Sequence, residues 1–149
     1  MESCIFCKIV KGEIPCYKIY EDTEFLAFLD IYPNTEGMTL VISKKHYNSY
    51  AFDMPEEEYT KLMKVTKKVA ELLDKKLNVK RTAMVMEGMG INHVHIKLYP
   101  MHRLENKDQI IEAKERVFFE KYPGYITTLM GSEADHKELA ELAKKIRDK

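Results

Sequence analysis

Residues 93–98, within the segment NHVHIKLYP (92–100), alternate strictly between basic and aliphatic side chains. Strict alternation predicts a half-buried β-strand, because successive side chains of a strand point to opposite faces of the sheet. His93, His95 and Lys97 would then lie on one face, with neighbours about 6.5 Å apart, and the aliphatic residues between them would face the core. A row of basic groups on a rigid strand is suited to phosphate binding, metal binding or acid–base chemistry.

The other patterns predict an α+β domain around this strand. Residues 17–33 contain two strands joined by the turn EDTE, GMTLVISKK is a third strand, and RTAMVMEG is a fourth. Residues 55–77 have helical spacing, with one apolar stripe made of Leu62, Val65, Val69, Leu72 and Leu73. Three strands, a helix and two further strands predict a five-stranded, mainly antiparallel sheet with one long helix.

The C-terminal third predicts additional helical structure. Residues 105–121 have a helical pattern, YPGY interrupts it, and the charged segment from Ser132 onward predicts a second helix with Ser132 as its N-cap. We therefore divide the chain into a domain at residues 1–104 and a helical C-terminal extension at residues 105–149 that packs on it.

Composition narrows the classes of partner. Charged residues make up 32% of the 149 residues and balance to a net charge of +0, so no nucleic acid partner is expected. No window approaches the roughly 20 apolar residues of a membrane span, and the N-terminus lacks the pattern of a signal peptide. Three cysteines, an odd count without a framework pattern, favour a reducing compartment. We expect a cytoplasmic protein with no membrane partner.

The motif CIFC places Cys4 and Cys7 at the spacing with which two thiolates hold one metal ion. The same spacing occurs in redox pairs, and a buried cysteine is often only a small hydrophobic residue. A metal site would need two further ligands, for which His46 and His93 are candidates. The spacing alone leaves these alternatives open.

Two further groups of residues are suited to binding a nucleotide. Asp30, at the end of the apolar run FLAFLD, can accept hydrogen bonds from ribose hydroxyls, although an aspartate that opens a turn has the same pattern. A pocket for the base could be lined by Phe6, Ile9, Phe28 and Ile31, which are equally suited to the core. His95 is suited to act as a nucleophile toward phosphorus, although a histidine in a strand is usually structural.

Several motifs in the same order resemble the histidine-triad (HIT) nucleotide-binding proteins. The resemblance rests on CIFCKIVKGEIP, IYED, FLAFLDIYPNTEGMTLVISKKH and HVHIKLYP, and it runs from about residue 4 to residue 102. The family's fold is a small α+β domain that dimerises so that two sheets become continuous. Its members cleave nucleoside phosphoramidates or dinucleoside polyphosphates, or transfer nucleotidyl groups. The resemblance implies a HIT-like domain, a homodimer and a small nucleotide substrate, which we expect to be a purine nucleotide.

The resemblance also implies roles for individual residues. His95 corresponds to the nucleophile, which attacks the α-phosphorus and holds the nucleotidyl group until water arrives. Asp30 corresponds to the ribose-binding aspartate. In the zinc-carrying branch of the family, the residues that correspond to Cys4, Cys7, His46 and His93 hold a structural zinc ion.

Three features depart from the family pattern. Lys97 stands at the place of the third histidine, the loop before the triad is the shorter EGMGIN, and Met86 stands near the place of an asparagine. Asn92 is the remaining polar residue that can contact phosphate from this loop. The charge of Lys97 is expected to lower the pKa of His95.

These departures leave more than one functional interpretation open. The first is a hydrolase or nucleotidyl transferase that works through a nucleotidyl-His95 intermediate, with Lys97 as a second catalytic group. The second is a nucleotide-binding protein of the same fold with little turnover, acting as a sensor or adaptor. A third is a zinc-stabilised interaction module whose histidines are all structural.

Overall fold

A computed structural model describes residues 4–109, 111, 121, 124 and 133–147. The elements, in chain order, are α1 (Ile5–Val10), β1 (Lys18–Glu21), β2 (Phe25–Leu29), β3 (Thr39–Ser43), α2 (Glu56–Leu77), β4 (Thr82–Val85), β5 (His95–Pro100) and α3 (His136–Arg147), with a short 3-10 turn at Ala51–Asp53. The strands form one sheet in the order β1-β2-β3-β5-β4, and every neighbouring pair is antiparallel. The predicted α+β fold with a five-stranded antiparallel sheet is confirmed.

One face of the sheet packs against the long helix. The apolar stripe of α2 was predicted correctly: Leu62, Val65, Val69 and Leu73 are buried, and Leu72 is half-buried. They contact the side chains of β2, β3 and β5 that point to this face, and α3 adds Leu139, Ala143 and Ile146 to the same core. Periodicity of 3.6 residues therefore located this part of the core.

The second face is covered by the N-terminal segment. Phe6 of α1 is buried against a layer formed by Leu26 and Phe28 of β2 and by Leu40 and Ile42 of β3. Every residue of β2 and β3 is consequently buried. The same face carries His95 and Lys97, which pair with Ile42 and Leu40. The helix α1 therefore lies over the face that carries these two basic residues.

The prediction for β5 was wrong in two respects. The strand begins at His95 and not at His93, because the preceding segment bends: the N–H of His93 donates to Ile91 O and that of Val94 donates to Tyr47 O. The strand is also buried on both faces and not half-buried, since α1 covers the face that alternation assigned to solvent. Lys97 is the one residue of β5 that is half-exposed.

The C-terminal prediction is tested only in part. Residues 105–109 form bends and turns and not the predicted helix, while most of residues 110–132, including Ser132 and all of YPGY except Gly124, lie outside the described residues. The last helix begins at His136, and its cap is Asp135, whose Oδ1 accepts the N–H groups of Lys137 and Glu138 at 2.9 Å each. In the part of the chain that the structure describes, no helix combines the length and apolarity needed to cross a membrane.

Candidate functional site

Four potential metal ligands converge where α1, the loop after β3 and the loop before β5 meet. Nδ1 of His93 lies 3.4 Å from Sγ of Cys4 and 3.6 Å from Sγ of Cys7. Nδ1 of His46 lies 3.3 Å from Sγ of Cys7, and all four ligand atoms lie within 4.8 Å of one another. The structure thus brings together the four residues that the sequence assigned to a metal.

The geometry of this cluster fits a tetrahedral ion. Bond lengths of about 2.3 Å to sulfur and 2.0–2.1 Å to nitrogen put neighbouring ligands of a tetrahedral zinc ion about 3.3–3.8 Å apart, as observed for the sulfur–nitrogen pairs. Nε2 of His93 donates to Ser43 O at 2.8 Å, which leaves Nδ1 with the lone pair that a metal needs. Burial lowers the pKa of His93 and so favours its neutral, ligating form.

The two cysteines need a cation to become ligands. Burial raises the pKa of Cys7, and the neighbouring Cys4 sulfur raises it further. Thiols in such a place stay protonated unless a positive charge stabilises the thiolates. A divalent ion between Cys4 and Cys7 supplies that charge, so the donor set and its electrostatics are consistent with a metal site.

One ring nitrogen of His95 is held by the backbone of His93. Nδ1 of His95 donates to the carbonyl oxygen of His93 at 2.7 Å, which leaves the lone pair on Nε2. The ring is only 4% exposed and meets the Phe6 ring edge-to-face, with centroids 5.4 Å apart. The tautomer and orientation of His95 are therefore both fixed, as a nucleophilic imidazole requires.

Burial, one hydrogen bond and three charged side chains act on the pKa of His95. Burial lowers the pKa of His95 most; the hydrogen bond to His93 O opposes this shift, and the charge of Lys97 lowers the pKa further. The carboxylates of Asp30 and Glu87 raise it, and the net shift is downward. The direction predicted for Lys97 is correct, but desolvation of the ring is the larger cause.

Asp30 and the apolar residues around it already have structural contacts. Asp30 is buried, and its Oδ1 accepts the N–H of Tyr32 at 2.8 Å, so the turn-forming role of this aspartate is realised. Phe6 and Phe28 are each 4% exposed and pack edge-to-face on each other. Ile9 is half-buried and Ile31 is 38% exposed. Contact of these residues with ribose or base stays a prediction.

The side-chain amide of Asn92 is already hydrogen-bonded to a neighbouring loop. Its Oδ1 accepts the N–H of Ser49 at 3.0 Å, and its Nδ2 lies 3.5 Å from Oδ1 of Asn48. The amide therefore ties the loop before β5 to the loop after β3. Contact of the Asn92 amide nitrogen with a phosphate stays a prediction.

The sequence analysis missed Glu87. This residue lies two positions beyond the end of β4, and its Oε1 is buried without a hydrogen-bond partner among the described residues. A single carboxylate in a glycine-containing loop has no periodicity that would single it out.

Comparison with known proteins identifies the family. The model of the HIT domain matches residues 11–104, well over half of the chain. The chain belongs to the HIT domain family. An uncharacterized HIT-like protein of Methanocaldococcus jannaschii is 42% identical to this HIT protein over 117 residues, which cover 75% of this chain and 88% of that protein.

Two further relatives bear on function and metal content. The adenosine 5'-monophosphoramidase of Schizosaccharomyces pombe is 38% identical over 99 residues, covering 66% of this HIT protein and 74% of that enzyme. A zinc-bound histidine triad family protein of Mycobacterium smegmatis has a similar structure, with a TM-score of 0.71 at 26% identity, covering 98% of this chain and 91% of that one. The family thus includes nucleotide-cleaving enzymes and a zinc-bound member.

Proposed function

We propose that this HIT protein is a nucleotide hydrolase or nucleotidyl transferase that works through a nucleotidyl-His95 intermediate. The observation that carries the proposal is the hydrogen bond from His95 Nδ1 to His93 O, which leaves a lone pair on Nε2 at a fixed place on a buried strand. A neutral imidazole with one nitrogen held by a carbonyl group is a competent nucleophile toward phosphorus. The proposed substrates are purine nucleoside phosphoramidates or dinucleoside polyphosphates, since a relative is an adenosine 5'-monophosphoramidase.

The proposed reaction has two steps. Nε2 of His95 attacks the α-phosphorus, the bond to the amine or phosphate leaving group breaks, and the nucleotidyl group becomes attached to His95. Water then cleaves the phosphorus–nitrogen bond and releases a nucleoside monophosphate. Lys97, on the same face of the sheet and two residues along the strand, is proposed to neutralise the charge that builds on the phosphate oxygens.

Binding of the nucleotide is assigned to residues around His95. We propose that Asp30 accepts hydrogen bonds from the ribose hydroxyls, and that the base lies against apolar side chains of α1 and of the end of β2. The residues proposed for the base pocket are Phe6, Ile9, Phe28 and Ile31, and Asn92 is proposed to contact the phosphate through its amide nitrogen. The burial of Asp30 close enough to influence His95 supports its place in this site.

Zinc is proposed as the ion held by Cys4, Cys7, His46 and His93. With four protein ligands the site is closed, so the ion supplies structural stabilisation and takes no part in the reaction. It would hold α1 and its buried Phe6 against the sheet that carries His95. The metal site and the reactive histidine thus share one side of the sheet.

We propose that the chain forms a homodimer through the edge of the sheet at β4. β4 pairs with β5 on one side and, among the described residues, with no strand on the other. Met84, in the middle of β4, is 47% exposed. An open edge with an exposed apolar side chain favours pairing with a second copy of the chain.

A second candidate function is a nucleotide-binding protein with little turnover. Two observations favour it: a lysine and not a histidine follows His95 on the same face, and the side-chain Oδ1 of Asn92 already accepts a hydrogen bond from the N–H of Ser49. Such a protein would bind a nucleoside monophosphate and release little product. Turnover separates the two candidates directly.

The test uses the zinc-loaded full-length protein with an adenosine phosphoramidate and, separately, a diadenosine polyphosphate. The hydrolase proposal expects His95-dependent release of AMP, lost in His95→Ala and retained in the matched control His136→Ala on α3. AMP binding without release would favour the binding protein. A protein that neither binds AMP nor releases it from these substrates would contradict both candidates.

A further inference from the structure

Glu87 has a buried carboxylate oxygen that nothing in the described structure satisfies. Oε1 is buried and has no hydrogen-bond partner among the described residues. Leaving a buried polar group unpaired costs about 1–3 kcal/mol, so such a group in a folded protein calls for an explanation. A water or substrate group that the site binds during its reaction would provide one.

The end of β4 brings Glu87 near the reactive histidine. The last pair of the ladder between β4 and β5 is Val85 with Lys97. Glu87 lies two residues beyond Val85, where the ladder has ended, and the same count from Lys97 along β5 reaches His95. The Glu87 carboxylate interacts electrostatically with the His95 ring, so the two side chains lie near each other.

The segment that carries Glu87 is held against the neighbouring loop at two points. Gly88 has φ +74°, and a Cβ there would lie 2.5 Å from the carbonyl oxygen of Ser49, so only glycine allows this approach. Four residues later, Asn92 Oδ1 accepts the N–H of the same Ser49. These two contacts hold the link that follows Glu87 against the loop at Ser49.

The second step of the proposed reaction needs a proton acceptor that the other groups do not provide. Charged Lys97 has three donors and no acceptor. In the intermediate, His95 carries the nucleotidyl group on Nε2 and donates from Nδ1 to His93 O. Oδ1 of Asp30 already accepts the N–H of Tyr32. Oε1 of Glu87, which is buried without a hydrogen-bond partner among the described residues, is an acceptor near His95 that no other contact occupies.

Building on the proposed function, we propose that Glu87 is the general base of the hydrolytic step. The carboxylate takes one proton from a water molecule while the water oxygen forms a bond to phosphorus. The bond from phosphorus to Nε2 breaks, and its electron pair returns to the His95 ring. The nucleoside monophosphate leaves with the water oxygen, and the proton on Glu87 passes to solvent. A positioned general base typically accelerates such a step by roughly 10²–10⁴-fold.

A competing role for Glu87 is that of a counter-ion for Lys97. Loss of a counter-ion would change the affinity for the anionic nucleotide, because it would alter the net charge that faces the phosphate. It would not slow the decay of the intermediate, because a less neutralised Lys97 stabilises the charge on the phosphate oxygens at least as well. The decay rate of nucleotidyl-His95 therefore distinguishes a base from a counter-ion.

The experiment follows a single turnover of an adenosine phosphoramidate by zinc-loaded, full-length wild type, Glu87→Gln and the matched control Glu71→Gln. Samples are denatured without acid, and the adenylylated protein is quantified by intact mass. Glu87→Gln should form the intermediate but lose it about tenfold or more slowly than wild type, with AMP affinity within about twofold. Glu71, exposed on α2 and paired with Lys67, should have no effect.

Decay at the wild-type rate in Glu87→Gln would overturn the assignment. A loss of AMP affinity that is not accompanied by slower decay would also overturn it, and so would a changed oligomer mass in the variant. If Glu87→Gln does not fold, Glu87→Ala with added formate is the second test, and restored decay would support the role. Failure of both variants to fold would make Glu87 structural and overturn it. An intermediate absent from all the proteins would contradict the proposed function itself.

Discussion

At the scale of single residues, Lys97 sets the charge beside the reactive imidazole. Its ammonium group and the burial of the ring both lower the pKa of His95. A lower pKa keeps Nε2 unprotonated to more acidic pH, which favours nucleophilic attack. The same fixed charge would hold an anionic product, so we expect slow turnover limited by hydrolysis of the intermediate or by product release.

Substitution of Lys97 tests this expectation. Lys97→Ala should weaken AMP binding by about 1–2 kcal/mol, because a charge-assisted hydrogen bond to phosphate is lost. Lys97→His should raise steady-state turnover of a phosphoramidate, since an imidazole can donate and accept protons. Calorimetric titration with AMP measures the first effect, with Lys67→Ala on the exposed face of α2 as control. Unchanged affinity in Lys97→Ala would show that the side chain points away from the phosphate.

Single residues differ in how far the sequence could reveal them. The convergence of Cys4, Cys7, His46 and His93 was accessible because spacing and resemblance specify particular residue types. Glu87 was not accessible, because its place near His95 depends on the path of the chain beyond the end of β4. The hydrogen bond that occupies Asn92 depends on the path of the loop at Ser49, which no periodicity encodes.

At the scale of elements, the turn between β1 and β2 is organised by one carboxylate. Oδ1 of Asp22 accepts the N–H groups of Glu24 and Phe25 at 2.8 Å each, and Oδ2 accepts the Tyr20 hydroxyl at 2.8 Å. Burial acts to raise the pKa of Asp22, but these hydrogen bonds and the charge of Lys44 outweigh burial and lower the pKa below its usual range. The ionised carboxylate therefore stabilises the hairpin.

This turn gives a pH-dependent prediction. Because the folded-state pKa of Asp22 is depressed, its contribution is present above the unfolded-state pKa and is lost as pH falls through the folded-state pKa. Asp22→Asn should cost about 1 kcal/mol of unfolding free energy at neutral pH, and the difference from wild type should shrink below about pH 4. Urea unfolding of both proteins across this range measures it. A difference that stays constant with pH would contradict this role.

The helices and strands themselves were largely predictable from the sequence, but the residues at which they begin and end were not. Apolar runs bounded by turn residues located β1 to β4, alternation located β5, and 3.6-residue spacing located α2. The start of β5 was misplaced because a hydrogen bond from Val94 to Tyr47 O bends the chain before the strand. Burial of both faces of β5 follows from the position of α1, which is a tertiary contact that alternation does not contain.

At the scale of the whole molecule, the proposed zinc ion joins α1 to the sheet. We expect one equivalent of zinc per chain in protein purified without added metal, measured by elemental analysis. His93→Ala should lower the unfolding free energy by about 3 kcal/mol or more, because it removes a ligand and the metal contributes to folding directly. His95→Ala, a matched loss of a buried ring two residues away, should cost less. Less than a tenth of an equivalent of zinc, or equal losses in the two variants, would refute the assignment.

Assembly is the second property at this scale. Pairing of β4 with its counterpart in a second copy would close the exposed edge of the sheet. Light scattering at micromolar concentration should therefore give the mass of a dimer, and Met84→Lys should shift it toward the monomer. The monomer mass for the wild type would contradict the dimer.

The central claim is that His95 becomes covalently nucleotidylated. Zinc-loaded protein is mixed with an adenosine phosphoramidate, denatured without acid after short times, digested and mapped by mass spectrometry. The account predicts one adenylyl group on the peptide that carries His95, located at His95 by fragmentation and absent from His95→Ala. AMP release that persists in His95→Ala, or an adenylyl group on Lys97 in place of His95, would contradict it.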